Sequence, residues 1–298
     1  MLLQQLINGF TLGFIYALIA LGYTMVYGIV RLINFAHGDM LMIGAYTGYF
    51  ILSAFGATPS SMVLALAGSM LVCAVVGVTL ERVCYKPLRN APRINILIVA
   101  IGASLVIENG GRILPFMGPN PRQYPQLEGS VSKVDLLGQQ VVISQQDIIV
   151  IIVSILMMAG LGYIVKFTKT GKAMRAVSHD TRAASLMGIN VDRIISFTFA
   201  IGSAMAAVAG VLFASKYPQV QTYMGILPGL KAFVAAVLGG IGSIPGAMIG
   251  GIILGITEIL SKAYISSKLA DAVVFGILVL ILMVRPTGIM GKSLKEKV

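Results

Sequence analysis

Few side chains in this sequence could do chemistry, and several of them crowd into one place. Residues 34–39 read Asn-Phe-Ala-His-Gly-Asp, between two long apolar runs, and His37 is one of only two histidines in 298 residues. A carboxylate set in an apolar run can serve an ion-driven carrier, whose energy comes from moving charge through the membrane. Here Asp39 is joined only by Glu108 and Glu258, each near the end of an apolar run. That is little material for a relay. A charged Asp at the centre of a spanning helix costs about 2.5–3.5 kcal/mol, while each Leu or Ile returns only about 0.3–0.6. Asp39 is therefore better placed at a helix end, where Asp39 and Asn34 are both good caps. The expectation is either plain capping or a polar hinge. In the hinge, Asn34 and Asp39 satisfy broken backbone, Gly38 permits the bend and His37 faces water or a partner.

Other chemistries find no support. The nearest approach to a phosphate-binding loop, "KTGKAM", lacks its first Gly and its Ser/Thr, so no ATP site of that kind is expected. His179 and Asp180 are adjacent, which suits a loop better than a catalytic pair. There is no metal-ligand spacing of His and Cys, and no Gly-x-Ser-x-Gly. Cys73 and Cys84 lie eleven residues apart on one apparent helix, roughly 16 Å, too far for a disulfide. A membrane enzyme would need a nucleophile, an acid–base pair or a metal cluster, and none is evident.

The elements that must hold these residues are apolar helices. Hydrophobic residues make up 57% of the chain and charged residues 11%, with a mean hydropathy of +0.91. Soluble domains carry about a quarter charged residues, so this is an integral membrane protein. The 34 glycines fit close helix packing. A net charge of +11 would suggest nucleic acid for a soluble protein, but here it reads as basic loops on one side of a membrane. The apolar N-terminus lacks a basic leader and a clear cleavage site, and reads as a retained first span.

Spans are expected near residues 7–30, 38–56, 60–81, 94–114, 146–166, 194–215 and 270–285. Residues 229–262 form either two further spans or a re-entrant hairpin, interrupted by "GGIGSIPGAMIGG". The fold class is thus an all-α polytopic membrane protein with roughly eight to nine crossings of about 20 residues each. Arg82, Lys86, Arg89 and Arg93 follow the third span. Lys166, Lys169, Lys172, Arg175, Arg182 and Arg193 follow the fifth, and Arg285, Lys292, Lys295 and Lys297 mark the end. By the positive-inside rule that side is cytoplasmic. The opposite side carries Arg112, Arg122, Lys133, Lys216, Lys231, Lys262 and Lys268, spread over more chain. Parity puts the N-terminus outside, so the break at 34–39 lies toward the cytoplasm or part-way into the bilayer.

The stretch 170–193, "TGKAMRAVSHDTRAASLMGINVDR", is the most informative. Thr170 can cap a helix running to about Val177. Asp180 can cap a second from Thr181 to Met187, and Gly188 suits the left-handed position that closes it. Ala183, Leu186 and Met187 then share one face, and the small Ala183 and Ala184 let another surface approach. Such a helix either lies on the headgroups or receives a partner. The spacing Arg182-Ala183-Ala184 and then Gly188 resembles the EAA-x-x-x-G coupling loop of ABC importer permeases. Arg182 stands where Glu is usual, a departure that leaves the helix geometry intact.

The resemblance extends along the chain. "GFIYALIALGYTMVYGIVRLINFAHGDMLMIGAY", "GKAMRAVSHDTRAASLMGI", "AAVLGGIGSIPGAMIGG" and "RPTGIMG" occur in family order. They look like the signatures of branched-chain amino acid ABC permeases of the LivH type. Sugar permeases share looser forms of them. The resemblance implies one transmembrane permease domain over 1–298, with a periplasmic loop at 115–145, a cytoplasmic coupling loop at 167–193 and a cytoplasmic tail at 286–298. It implies a bacterial inner-membrane transport subunit, not an enzyme, moving Leu, Ile or Val. Related permeases move other amino acids, urea or short amides, and a self-sufficient channel or carrier is the remaining alternative. The implied partners are a second homologous permease, two ATPase subunits, a periplasmic substrate-binding protein and the lipid bilayer, with no nucleic acid. This chain would bind no cofactor, ATP and magnesium belonging to the ATPases. The coupling residues would be Asp180, Arg182, Ala183, Ala184, Leu186, Met187 and Gly188.

The glycine-rich segment divides in two. Gly246/Gly250 and Gly251/Gly255 are G-x-x-x-G pairs that suit close helix crossing. Gly239, Gly240, Gly242, Pro245 and Gly246 instead free the backbone, which persists at membrane depth only where protein or a water-filled path receives it. Broken helices recur around transporter substrate sites. These residues, with Asn34, His37, Gly38 and Asp39, are therefore the candidates for the path or its hinges.

Overall fold

A computed structural model describes residues 2–30, 34–89, 91–127, 132–136 and 139–291. Eleven α-helices appear among them: α1 Leu2–Val30, α2 His37–Phe55, α3 Pro59–Leu80, α4 Arg93–Ile113, α5 Gln145–Phe167, α6 Lys169–His179, α7 Thr181–Leu186, α8 Val191–Lys216, α9 Ile226–Gly239, α10 Ile244–Tyr264 and α11 Ala270–Val284. Six long helical segments are apolar enough to cross a bilayer: α1, α3 with its continuation to Leu88, α4, α5, α8 and α10. Helices α9 and α11 are shorter and apolar. The apolar runs found in the sequence match helices to within about five residues, but the run expected to span at 38–56, which forms α2, is not among the six. Residues 229–262 resolve into α9 and α10 on either side of a turn.

Helices α1 and α8 form the centre. α1 packs on α10, α8, α9 and α5, while α8 packs on α3, α2 and α1. The α1/α10 crossing is made by absent side chains. A Cβ on Gly251 would lie 2.5 Å from the Ala17 Cα, and one on Gly13 would lie 2.7 Å from the Ile252 Cα. That is the close crossing expected of the G-x-x-x-G pairs.

The bundle has two distinct ends. At one, the Gln4 side chain donates to the Val142 carbonyl at 2.9 Å, and Lys216 pairs with Asp147. Here a hairpin forms from β2 Ser132–Leu136 and β3 Gln139–Ile143, and β1 Arg122–Gln123 pairs with β4 Gln219–Val220. The 115–145 loop is thus a partly stranded cover, which its prolines did not foretell. At the other end Lys86 meets Asp192 at 2.7 Å, and Arg89 bridges Asp192 and Glu81. Most of the crowded cations sit at this end; Lys292, Lys295 and Lys297 lie outside the described residues.

Two helices begin inside the bundle. His37, the first residue of α2, lies against Ile19 and Gly22 of α1. Val30 is eleven residues past Ile19, so the chain returns by roughly 16 Å before α2 starts. α2 then runs toward the stranded end, where Phe50 packs against Phe116. After α8 the chain likewise turns back inward through β4, and α9 starts beside Gly38. A Cβ on Gly38 would lie 2.7 Å from the Gly225 carbonyl oxygen, and one on Gly229 would lie 2.8 Å from the Gly38 Cα. α9 runs to the basic end over 14 residues, about 21 Å, short of a hydrocarbon core of about 30 Å. The starts of α2 and α9 therefore meet in the interior and the helices run away from each other.

Candidate coupling and translocation sites

The coupling loop is built from local capping. Thr168 ends α5 in extended backbone and its Oγ1 accepts from the Gly171 N–H at 3.0 Å. The cap is thus Thr168 and not Thr170, which lies in the first turn, and the helix continues to His179 rather than Val177. Asp180 Oδ1 accepts from the N–H groups of Arg182 and Ala183 at 2.8 and 3.0 Å. Those two donors hold its carboxyl below the usual range. Gly188 closes the helix at φ +81°, and the Ile189 N–H donates back to the Ala184 carbonyl at 3.1 Å. α7 is one residue shorter than expected, with Met187 as its C-terminal cap.

α7 has an outward and an inward face. Leu186 and Met187 are 88% and 83% exposed, and Ala183 and Arg182 are exposed beside them. Ala184 is buried in the core cluster that includes Met174 and Val177 of α6. This corrects the expectation that Ala184 helps another surface approach: it seats α7 on its own protein, and Ala183 alone remains outward.

The first break differs from the hinge expected. His37 is 1% exposed, its Nε2 lies 3.3 Å from the Ile19 carbonyl oxygen, and its ring packs edge-on to Tyr23 at 4.5 Å. It faces neither water nor an open surface, because the return of the chain drives it into α1. Asn34 does not cap α2; its Oδ1 accepts from the Tyr85 hydroxyl at 2.7 Å, and Ala36 occupies the cap position with no side-chain bond. The Asn34 carbonyl, not its side chain, receives the His37 N–H. Asp39 sits in the first turn, where the helix dipole favours an anion, but it is 2% exposed and its Oδ2 has no hydrogen-bond partner among the described residues.

The second break is closed by the chain itself. Gly240 and Gly242 take φ of +102° and +94°, Ser243 caps α10 through the Gly246 N–H, and Pro245 sits at the second helical position. Ile289 and Met290 donate their N–H groups to the carbonyls of Leu238 and Gly239 at 2.9 and 3.0 Å. The "RPTGIMG" segment thus receives the backbone freed at Gly239–Gly240. Gly246 packs against Gly239. Gly239 is ten residues beyond Gly229, about 15 Å along α9, so the two breaks singled out in the sequence are not brought together. Asn34–Asp39 instead meets Gly225–Gly229, whose G-x-x-x-G spacing was a usable signal that sequence reading passed over.

Two cavities flank the start of α9. One, of about 250 Å³, is lined by Asp39, Ser104 and Glu108, by Tyr23 and Phe35, and by apolar side chains including Ile101, Leu105 and Leu230. The other, of about 330 Å³, holds Tyr16, Lys231, Glu258 and Lys262 under a rim of Tyr217 and Tyr223. In the latter, Glu258 accepts from Lys231 at 2.8 Å, Lys262 at 2.6 Å and the Tyr16 hydroxyl at 2.8 Å. Lys231 also meets Asp271 at 2.7 Å. No sequence pattern joins Lys231 to Glu258, since they lie on different helices.

An apolar helical bundle with two helices begun in its interior and a basic, capped loop at one end is a multi-pass membrane protein of the permease kind. The family model described as branched-chain amino acid transport system / permease component matches residues 5–283. The chain belongs to that family. It is 46% identical to the high-affinity branched-chain amino acid transport system permease protein LivH of Escherichia coli strain K12, covering 99% of this chain and 97% of that one. It is 45% identical to LivH of Salmonella typhimurium strain LT2, with the same coverage. It is 44% identical to the permease protein BraD of Pseudomonas aeruginosa, covering 99% and 98%.

Proposed function

We propose that this chain is a transmembrane subunit of an ABC importer for leucine, isoleucine and valine in a bacterial inner membrane. It pairs with a second, similar permease. Two ATPase subunits dock at the basic end, and a substrate-binding protein delivers the amino acid at the stranded end. The chain performs no covalent chemistry and binds no cofactor; ATP and magnesium act in the ATPases. The observation that carries this reading is the outward face of α7. Leu186 and Met187 are apolar, almost fully exposed and held on a helix stopped at both ends by Asp180 and Gly188. Exposed apolar side chains on a rigid, charged loop fit a protein partner. Because α7 is seated on α6 through Ala184, a push on it is passed to the bundle.

The test is uptake of labelled leucine by proteoliposomes holding the assembled transporter. Leu186→Asp with Met187→Asp is expected to cut uptake at least tenfold while ATP hydrolysis persists. Folding stability should move by less than about 0.5 kcal/mol, as for most surface changes. Uptake by this chain alone, driven by an ion gradient, would overturn the reading.

A further inference from the structure

We infer that the cavity between α2, α4 and α9 is a binding site for the ammonium group of an aliphatic amino acid, held by Asp39 and Glu108. The inference rests on the amino acid permease reading and adds to it an in-membrane site with named residues. Both carboxylates are buried, at 2% and 6% exposure, and both line the same cavity. Among the described residues no Lys, Arg or His lines it. A buried carboxylate is expensive unless paired; Asp39 meets only the Ser104 hydroxyl and the Glu108 carboxyl, and its Oδ2 has no donor among the described residues. Ser104 is the only hydroxyl beside Tyr23 on the walls. The complement the cavity calls for is thus a cation with several N–H donors.

The remaining walls select which cation. Ile101, Leu105, Ile226 and Leu230 present aliphatic surface, suited to a branched hydrocarbon side chain. At about 250 Å³ the space is below the roughly 300–1,000 Å³ of drug-sized sites, as a small solute needs. The start of α9 supplies the third element. Gly225 and Gly229 bring its first turn against Gly38 and line the cavity with bare backbone. The Ile226 and Gly229 N–H groups already donate to the Tyr223 and Gly225 carbonyls and Pro228 has none, so the start of α9 meets the carboxylate of the same molecule with its dipole and not with a free donor. Half-helices that begin in the membrane serve substrate carboxylates in this way in other transporters. Ammonium on the acid pair, carboxylate toward α9 and side chain against the aliphatic wall match the acidic, backbone and aliphatic surfaces of the cavity.

The experiment measures equilibrium binding of labelled leucine to the complete transporter in nanodiscs, without the external binding protein. Competitors are isopentylamine, which lacks the carboxylate, and 4-methylpentanoate, which lacks the ammonium. Asp39→Asn and Glu108→Gln are each expected to weaken leucine binding at least tenfold. Isopentylamine should compete and 4-methylpentanoate should not. Leu105→Trp, at a half-exposed position on the cavity wall, should block binding with both carboxylates intact, which guards against misfolding in the buried variants. Wild-type affinity in all three variants would overturn the site, as would preferential competition by 4-methylpentanoate. So would a wild-type complex that imports leucine with no saturable binding. A wild-type complex that neither imports nor binds leucine would instead overturn the permease reading, and the site with it.

Discussion

On one side of the first turns of α9, Glu258 is buried among Lys231, Lys262 and the Tyr16 hydroxyl, and Lys231 reaches on to Asp271. The cluster carries two positive and two negative groups, and each buried charge has a partner. On the other side, Asp39 and Glu108 share a cavity with no cation among the described residues of its walls. Glu258 is as buried as Asp39 and Glu108, within the same bundle and a few residues apart along α9, while Asp271 is half-exposed. The difference lies in what surrounds the charge. A fully paired buried network fixes geometry and locks helices together, here α1, α9, α10 and α11. An acid pair left open costs stability and is tolerated where a ligand completes it.

The paired cluster should break hardest. Lys231→Met leaves Glu258 with only half of its cation partners, and removing one member of a buried pair costs about 3–5 kcal/mol. The expected result is a large drop in denaturation midpoint of the purified complex. Adding Glu258→Met should recover much of the loss, because no unpaired buried charge remains. The residual deficit would be the orphaned Tyr16 hydroxyl, about 1–3 kcal/mol. A double-mutant cycle measures the coupling directly. Simple additivity of the two single effects would show that the network is not a unit.

A smaller effect is expected from parting the helix starts. Gly38→Ala puts a Cβ 2.7 Å from the Gly225 carbonyl oxygen and 3.3 Å from the Gly229 Cα, both backbone atoms that cannot rotate away. Overpacking of this kind costs about 1–3 kcal/mol. Gly276→Ala on α11, where nothing lies within 4 Å of the added carbon, is the control and should be neutral or slightly stabilising. Thermal unfolding of the two variants decides it. Equal stability would mean that α2 and α9 do not touch as described, and the cavity between them would lose its floor.

What the sequence made legible follows from how local each feature is. The helices were readable because a bilayer imposes about 20 apolar residues per span, and α7 was readable because Asp180 and Gly188 act within a few residues of themselves. The G-x-x-x-G crossing was readable as a pattern, though not that Ala17 and Gly13 would receive it. The burial of His37 was hidden because its acceptor is Ile19, eighteen positions back on a helix that α2 rejoins from inside. The inward turn of Ala184 depends on α6, and a seven-residue spacing carries no record of that. The closure of Gly239 by Ile289 and Met290 joins two motifs separated by all of α10 and α11. Asp39 stands at a helix end, as its cost in mid-span predicts, but the missing partner of its Oδ2 is a property of the surroundings and cannot be read from its neighbours in sequence.

The smallest change tests the comparison most sharply. Asp39→Asn keeps the size and shape of the side chain and removes its charge. If the carboxylate is uncompensated, as the missing partner of Oδ2 indicates, the amide should lose nothing that the folded chain depends on. The favourable interactions given up are that with the first turn of α2, typically about 0.3–1 kcal/mol, and the charge assistance to the Ser104 hydrogen bond, and relief from burying a charge with no cation beside it offsets them. The expected shift in stability is therefore within about 0.5 kcal/mol of zero, or upward, in the ligand-free complex. Lys231→Met, at equal burial, should lose several times that. Adding saturating leucine should stabilise the wild type by mass action and leave the Asn variant where it was. A drop in Asp39→Asn as large as that in Lys231→Met would mean that Asp39 is held by a partner after all, and the two clusters would be one kind of structure.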